Sequence, residues 1–395
     1  MKVLVTASAR FAITSDGNLW TPNASLRYNF WARYLEVFDE VHLVARAKFH
    51  SEPPTGWNLV SGPGIKAVPV PYFIGPWEFI KNYANVRKAV NRVALDAEAI
   101  LLRIPCTIGT EVLHSLPSGR PYGVEVVADP YDSFAPGSIR HPLRPLFRWW
   151  FPRVLKQECA GAVAAAYVTK EALQRRYPCP NFSVGISDVQ LPDEAVVSKP
   201  RPRREAGTCT LIFVGSLAQL YKAPDVLIEA IAVCVQEGLD IKLIVVGDGQ
   251  YRAELEARCA TLGLGQRVSF QGLLPTSEAV CQQLDLADIF VLPSHQEGLP
   301  KAMVEAMARA LPCIGSTVGG IPELLPPEDM VLPGNVTALA TKIREVITDP
   351  DRMARMSAGN LNKAKEYTDE VLQYRRIAFY RYLKEKTEAW LKTEN

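Results

Sequence analysis

No Cys-x-x-Cys pair occurs anywhere in this chain of 395 residues. Its eight cysteines stand scattered at 106, 159, 179, 209, 234, 259, 281 and 313. Several lie in apolar runs, as Cys209 does ahead of Leu-Ile-Phe-Val. That pattern reads as buried free thiols in a reducing compartment and excludes a disulfide scaffold or a zinc site. The five histidines (42, 50, 114, 141 and 295) show no metal-ligand spacing either. Charge of one sign is also missing. With 44 Lys+Arg against 42 Asp+Glu the net charge is +2, which removes any whole-protein argument for nucleic acid or an anionic membrane as a partner. Long apolar runs are absent. The longest, Ala160–Val168, is far below the roughly 20 residues of a membrane-spanning helix. The apolar start, Met1–Arg10, is too short and too early for a signal peptide. These absences together predict a cytoplasmic protein without a transmembrane anchor.

What is present is a globular balance, 48% hydrophobic and 22% charged residues, in a chain long enough for two cores. Short β-rich runs alternate with longer helical patterns, which predicts an α/β protein with parallel sheets covered by helices. In the first half Val3–Ala7, Glu40–Ala45, Ile100–Arg103, Val124–Ala128 and Val163–Val168 read as strands. Asn29–Phe38 and Tyr83–Leu95 read as helices, and Thr169 as the cap of a helix Lys170–Tyr177. A Pro- and Arg-rich stretch with a single alanine as its apolar residue, Ser198–Gly207, marks a connection between domains. After it, strands are expected at Thr210–Val214, Ile241–Val246, Val268–Gln271, Ile289–Leu292 and Pro312–Gly315. Helices are expected at Asp225–Glu237, Arg252–Leu262, Lys301–Ala310 and Val336–Ile347, and over most of 351–392. The expected division is 1–198, a linker at 199–207, 208–368, and a last helical segment at 369–395. In open α/β sheets ligands sit beyond the carboxyl ends of the strands, and the candidate residues all lie at such strand ends.

The most informative segment is PSHQEGLPKAMVEAMARALPCIGSTVGGIPELL, 293–325. Glu297 follows a strand. Gly298 lets backbone approach a ligand closely. Pro300 suits the first helical position, where a missing N–H costs nothing. The free N–H groups at 298–301 and the positive end of the helix dipole make an anion site fit for a diphosphate. Glu297 would then reach a sugar hydroxyl on one side, and Glu305, two turns along, ribose hydroxyls on the other. On spacing alone, two surface carboxylates flanking an amphipathic helix explain the pattern equally well.

The segment resembles the donor-binding signature of GT-B glycosyltransferases of family 4, the group 1 glycosyltransferases. The resemblance rests on two glutamates eight apart, with Glu-Gly-Leu-Pro, Glu-Ala-Met and a later Gly-Gly-Ile-Pro-Glu. It extends in order through Val-Gly-Ser-Leu (214–217), Tyr-Lys-Ala (221–223), Leu-Ile-Glu-Ala (227–230), Val-Val-Gly-Asp-Gly (245–249), Val-Ser-Phe-Gln-Gly (268–272) and Ala-Asp-Ile-Phe-Val-Leu-Pro-Ser (287–294). It implies a GT-B fold: two Rossmann-like domains whose parallel sheets face an interdomain cleft, with the C-terminal helix crossing back to the first. The first domain would take the acceptor and the second the nucleotide sugar. Lys222 would meet the donor diphosphate and offset charge on the leaving group. Glu297 would orient the donor sugar, Gly298 and Leu299 would give N–H groups to phosphate, Glu305 would hold the ribose, and Leu273 would sit near the base. Gly215, Ser216, Gly247 and Pro300 complete the donor set. Many relatives carry arginine where this chain has Ser216, and the lysine comes one place late. The Gly247-x-Gly249 turn lacks a third glycine and an acidic partner, so a dinucleotide enzyme is rejected.

The N-terminal half resembles the family less closely. A long loop, Ser8–Asn23, is expected after the first strand, with Gly17 as its candidate for the donor phosphate. Asp129, at the end of a strand beside Pro130, is the candidate for contact with an acceptor hydroxyl as a base; a plain turn former explains it equally well. Arg103 also ends a strand and is a further cleft candidate. Basic and aromatic residues interleave over 139–156, a surface suited to an anionic membrane if Trp149 and Trp150 face outward; both tryptophans packing inward is the alternative. The aromatics of Asp369–Lys392 are expected in the core.

The expected activity is therefore retaining transfer of a sugar from a nucleoside diphosphate, by default UDP, to a saccharide or lipid-linked hydroxyl. No catalytic metal or other cofactor is expected. A double displacement needs a carboxylate nucleophile opposite the leaving group, and the sequence offers none. The competing readings are a GT-B epimerase or phosphorylase and a non-catalytic GT-B binding subunit.

Overall fold

In the computed structural model the structure describes residues 1–135, 141–202 and 207–394. Four linker residues, 203–206, and the first two of the basic-aromatic segment, 139 and 140, lie outside the described residues.

Two parallel sheets organise the chain. The first contains β1 (Lys2–Ile13), β2 (Leu19–Thr21), β3 (Glu40–Phe49), β4 (Asn58–Leu59), β5 (Ile65–Val70), β6 (Ala99–Ile104), β7 (Gly123–Val126), β8 (Ala164–Tyr167) and β9 (Phe182–Gly185). Its parallel strands run in the order β5-β3-β1-β6-β7-β8-β9, and the short β2 and β4 add antiparallel to the outer end of β1. The second contains β10 (Cys209–Val214), β11 (Ile241–Val246), β12 (Val268–Gly272), β13 (Ile289–Leu292), β14 (Cys313–Ser316) and β15 (Met330–Val331), ordered β12-β11-β10-β13-β14-β15 and parallel throughout.

Both sheets are covered by helices, so their strands are apolar on both faces. All four residues of β13 are buried, as are Leu211, Ile212 and Phe213 of β10. In each sheet the chain winds outward, then returns to the far side of its first strand. The second sheet therefore has its switch point between β10 and β13, the place where such sheets leave a crevice. The loops carrying Gly215 and Glu297 both open from that point.

The last helix, Asp369–Glu394, returns to pack against β6, β8 and β9 of the first sheet. Phe379, Tyr380 and Leu383 are buried there, whereas Tyr374 is exposed and departs from the core expected of these aromatics.

The largest departures lie in the first half. Instead of a loop from Ser8, β1 continues to Ile13 with a shift in register after Ala7, and Thr14–Asn18 is a hairpin turn into β2. The helix expected at Tyr83–Leu95 begins at Gly75. Asn29–Phe38 is a short helix, Tyr28–Ala32, followed by a 3-10 turn. The helix after β8 starts at Ala172 with Glu171 as N-cap, although Thr169 still accepts the N–H of Leu173 at 3.0 Å.

Candidate functional site

The site is assembled from three loops at the carboxyl edge of the second sheet. The first leaves β10 through Gly215 and ends in a 3-10 turn, Leu220–Lys222, that Ala223 closes in a left-handed conformation at φ 54°. The second leaves β13 and carries Ser294–Glu297 into the helix Lys301–Ala308. The N–H of His295 donates to the carbonyl of Tyr221 at 2.7 Å, which ties the two loops together. In the third, Gly319 and Gly320 lie against the second.

Lys222 Nζ donates to Glu297 Oε1 at 2.6 Å, with the two side chains 14% and 7% exposed. Ser294 Oγ donates to the same carboxylate oxygen at 2.9 Å, and Ser316 Oγ fixes the Ser294 carbonyl at 2.6 Å. Both serines are buried. Glu297 is thus held on rails by a cation and a hydroxyl.

Two close approaches require glycine. A Cβ on Gly215 would stand 2.4 Å from Lys222 Cδ, so the lysine stem lies directly on this residue. Gly319, at φ 54°, passes so near the Glu297 carbonyl that a Cβ would meet its oxygen at 1.9 Å. The N–H of Gly320 donates to the Gly298 carbonyl at 2.6 Å.

Pro300 is the N-cap of the 301–308 helix, one place before the first helical position expected of it. Among the described residues no acceptor takes the N–H of Gly298 or Leu299. The helix buries Met303, Val304, Ala306, Met307 and Ala308, and each large side chain so buried contributes roughly 1.5–3 kcal/mol. Lys301 and Glu305, one turn apart, are left on the other face. Burial pushes the Glu305 carboxyl up, and Lys301 partly offsets this.

The helix start faces the first domain. A Cβ on Gly298 would lie 3.6 Å from Val168 Cγ2 and 3.8 Å from the Val127 carbonyl, at the ends of β8 and β7. A cleft of about 840 Å³ lies between the Arg27–Arg33 segment and the helix Ser277–Asp285. Glu305 lines it, together with Asp188 and Arg376. Glu297 and Lys222 do not line this volume.

Other expected site residues stand as follows. Gly247, at φ 137°, lies under Gly215 and donates its N–H to Gly272 at 2.9 Å. Ser216 is exposed, and its Oγ accepts the N–H of Ala218 at 3.2 Å, a local turn contact. Leu273 is 83% exposed beyond β12.

Two expectations for the first half, for Gly17 and Asp129, do not fit the structure, and a third, for Arg103, is refined. Gly17 occupies the tip of the β1–β2 hairpin at φ 82°, not a long Gly-rich loop, with nothing within 4 Å of a Cβ built there. Asp129 is the N-cap of the short helix Pro130–Ser133, accepting the Tyr131 N–H at 2.8 Å. Its oxygens also accept the Tyr177 hydroxyl and pair with Arg176, and the residue is buried. A base with both oxygens so engaged does not fit the role expected of it. Arg103 is buried in an ion cluster, pairing with Glu125 and, at 2.6 Å, with Asp188. Arg33 joins the same two acids at 3.2 and 3.0 Å, and Tyr380 donates to Glu125 at 3.0 Å. Burial alone would raise the Asp188 carboxyl, but Arg103 and Arg33 hold it well below the usual range. Sequence reasoning missed Ser294, Arg33 and Asp188. Ser294 sat inside a quoted motif, three places before Glu297; nothing local marks the other two.

Residues 208–349, which contain all three loops, match the family described as "Glycosyl transferases group 1". The fold of the whole chain is that of sucrose-phosphate synthase from Thermosynechococcus elongatus, with a TM-score of 0.72, 17% identity, and 98% of this chain and 100% of that chain covered. This chain is a glycosyltransferase whose residues 208–349 are similar to group 1. The glycosyltransferase is also similar to protein CapJ of Staphylococcus aureus, 27% identical over 353 residues and 88% of each protein. A further structure of the same GT-B fold is Anabaena HepE in complex with UDP and glucose, with a TM-score of 0.64, 18% identity, and 96% and 98% coverage. The two parallel sheets and the returning C-terminal helix of the glycosyltransferase are the GT-B architecture.

Proposed function

We propose that this glycosyltransferase moves a sugar from UDP, with retention at the anomeric carbon, to a hydroxyl of a saccharide or lipid-linked oligosaccharide in the making of a cell-surface polysaccharide or glycoconjugate. The observation that carries the reading is the Lys222–Glu297 pair beside the free N–H groups that open the 301–308 helix. In this reading the diphosphate lies on the Gly298 and Leu299 amides, where the helix dipole favours an anion. Lys222 turns from Glu297 to the phosphate and meets the charge that grows as the leaving bond breaks. Glu297, released from the lysine but still held by Ser294, accepts from a donor-sugar hydroxyl. Glu305 takes the ribose in the cleft, and Leu273 covers the base. The UDP named with HepE supports the choice of base. Domains 1–198 and 208–368 are assigned to acceptor and donor, joined by 199–207, with 369–395 packed back on the first.

Lys222 and the helix supply the positive charge, so no resident metal is invoked. Chelation with EDTA is expected to leave UDP affinity unchanged. The direct test of the reading is hydrolysis of UDP-glucose and other UDP sugars by wild type, Lys222→Ala and Glu297→Ala. Both variants are expected to lose activity about 100-fold; activity insensitive to both sinks the assignment. A thermal-shift screen over nucleotide sugars selects the donor, because a ligand that prefers the folded state raises stability.

We also propose that the acceptor is met at an anionic membrane. No described helix is long and apolar enough to cross one. On the helix Arg144–Gly161, however, Leu146, Trp149 and Trp150 are 50–54% exposed, with Arg144, Arg148 and Arg153 among them. The helix Gly75–Asp96 covers the same sheet face and exposes Trp77 and Ile80 in its first turns. Outward tryptophans beside arginines suit a lipid headgroup layer. Vesicles containing phosphatidylglycerol are expected to sediment the wild type and not Trp149→Ser/Trp150→Ser; equal sedimentation of the two proteins rules this surface out.

A further inference from the structure

The Gly-Gly-Ile-Pro-Glu motif ends in a side chain that leaves its own domain. Glu323 Oε2 accepts the N–H of Lys170 at 2.6 Å, and Oε1 accepts those of Ala172 at 2.7 Å and Glu171 at 3.0 Å. Those three amides open the helix Ala172–Arg176 at the end of β8 in the first domain. One carboxylate therefore gathers three charge-assisted bonds across the domain boundary. Lys170 adds a second strap, through its ammonium to Glu366.

The other end of the motif touches the donor loop. Gly319 packs on the Glu297 carbonyl, and Gly320 donates its N–H to Gly298. Gly320 is also wedged between the domains. A Cβ there would meet the Gly298 carbonyl oxygen at 2.8 Å, Leu299 Cδ1 at 2.9 Å and Thr169 Cγ2 of the first domain at 3.2 Å. A 3-10 turn, Ile321–Glu323, joins the two ends. Five residues thus form one rigid bracket. It holds the carbonyls of Glu297 and Gly298 at one end and the first domain at the other.

We infer that Glu323 is a positioning residue that latches the two domains shut and, through Gly319 and Gly320, sets the Glu297–Gly298 loop in its working place when they close. The inference rests on the donor-site reading above for its effect on turnover, but not for the latch. When the first domain swings away, the three amides leave Glu323 and the bracket loses its outer support. When it closes, the loop is clamped from both sides and water is shut out of the transfer site.

The test begins without any donor. Small-angle scattering of the free protein compares wild type with Glu323→Ala and, from the opposite side, Gly320→Ala, each first shown to be folded by circular dichroism. Both variants are expected to have a larger radius of gyration than wild type, with Glu323→Gln between. Unchanged radii overturn the latch, whatever becomes of the donor reading. UDP affinity and UDP-glucose turnover then divide positioning from propping. Glu323→Ala is expected to keep its Kd for UDP within about twofold and to lose about tenfold in kcat, the shift in closed population that loss of one charged contact produces. A parallel loss of UDP affinity, or an undiminished kcat in an opened protein, overturns the positioning role. A wild type that binds no UDP removes the donor reading and leaves the scattering result standing.

Discussion

Adding one methyl group at Gly215 tests the site without touching any of its functional groups. Built on the backbone, the new Cβ stands 2.4 Å from Lys222 Cδ, 3.3 Å from Lys222 Cε and 3.1 Å from Phe213 Cζ. Phe213 is completely buried and cannot give way, whereas the lysine stem is flexible and partly exposed. Carbon atoms rest about 3.5–4.0 Å apart, so the stem must retreat by about 1 Å. The Nζ that now sits 2.6 Å from Glu297 then leaves hydrogen-bonding range or finds a new path. Overpacking of this kind costs about 1–3 kcal/mol, and a movable lysine keeps Gly215→Ala near the lower figure. Activity is expected to suffer more than stability. Misplacing Lys222 at the diphosphate should lower kcat/KM about 10- to 100-fold, equivalent to about 1.4–2.8 kcal/mol of transition-state stabilisation. The assay is kcat/KM for the best UDP sugar alongside urea unfolding. Gly265→Ala, with open space around its Cβ, is the neutral comparison. Wild-type kcat/KM in Gly215→Ala would refute the packing argument and, with it, the role of Lys222.

Gly247→Ala places its Cβ 1.9 Å from the backbone carbonyl of Gly215 at φ 137°; with no flexible side chain to yield, expression of folded protein is expected to fail. Asp129→Asn keeps the N-cap but loses the ion pair with Arg176, so a stability loss of about 1 kcal/mol with kcat within threefold is expected; a hundredfold loss of kcat at unchanged stability would restore Asp129 as a base. Glu158 is buried, bonded to Thr110 at 2.6 Å, and burial pushes its carboxyl from 4.5 up to about 7. The folded state therefore binds this proton more tightly than the unfolded chain. The stabilisation is complete below about pH 4.5 and is lost as pH rises through about 7. Melting temperature from pH 5 to 8 should fall less steeply in Glu158→Gln than in wild type, and an identical slope would contradict this account.

Most of the second half of the chain was legible, although the helix Ser277–Asp285 and the short β15 were not expected. Ile241–Val246, Ile289–Leu292 and Val336–Ile347 stand where their periodicity put them, because each buries its apolar positions against one core. The first half was not. The helix start at Gly75 was masked because Ile74, Trp77 and Ile80 are exposed and break the buried stripe. β5 was missed because Pro69 interrupts a short run. The extension of β1 through Ser8–Ile13 depends on pairing with β3 more than 30 residues away, which no local pattern announces. The site divides in the same way. The Glu297, Gly298 and Lys222 constellation was readable because it lies in ordered motifs. The tasks of Asp129 and Arg103 were not, since Arg176, Glu125 and Asp188 come from distant segments. Glu323 was part of a recognised motif, yet its partners in the other domain appear only in three dimensions.

The central claim, a diphosphate seated at the start of the 301–308 helix and met by Lys222, is tested most directly by calorimetric titration of UDP and UMP into wild type and Lys222→Ala. The account predicts that wild type prefers UDP to UMP by at least tenfold and that the preference collapses in the variant. The same UDP-to-UMP ratio in both proteins would contradict it.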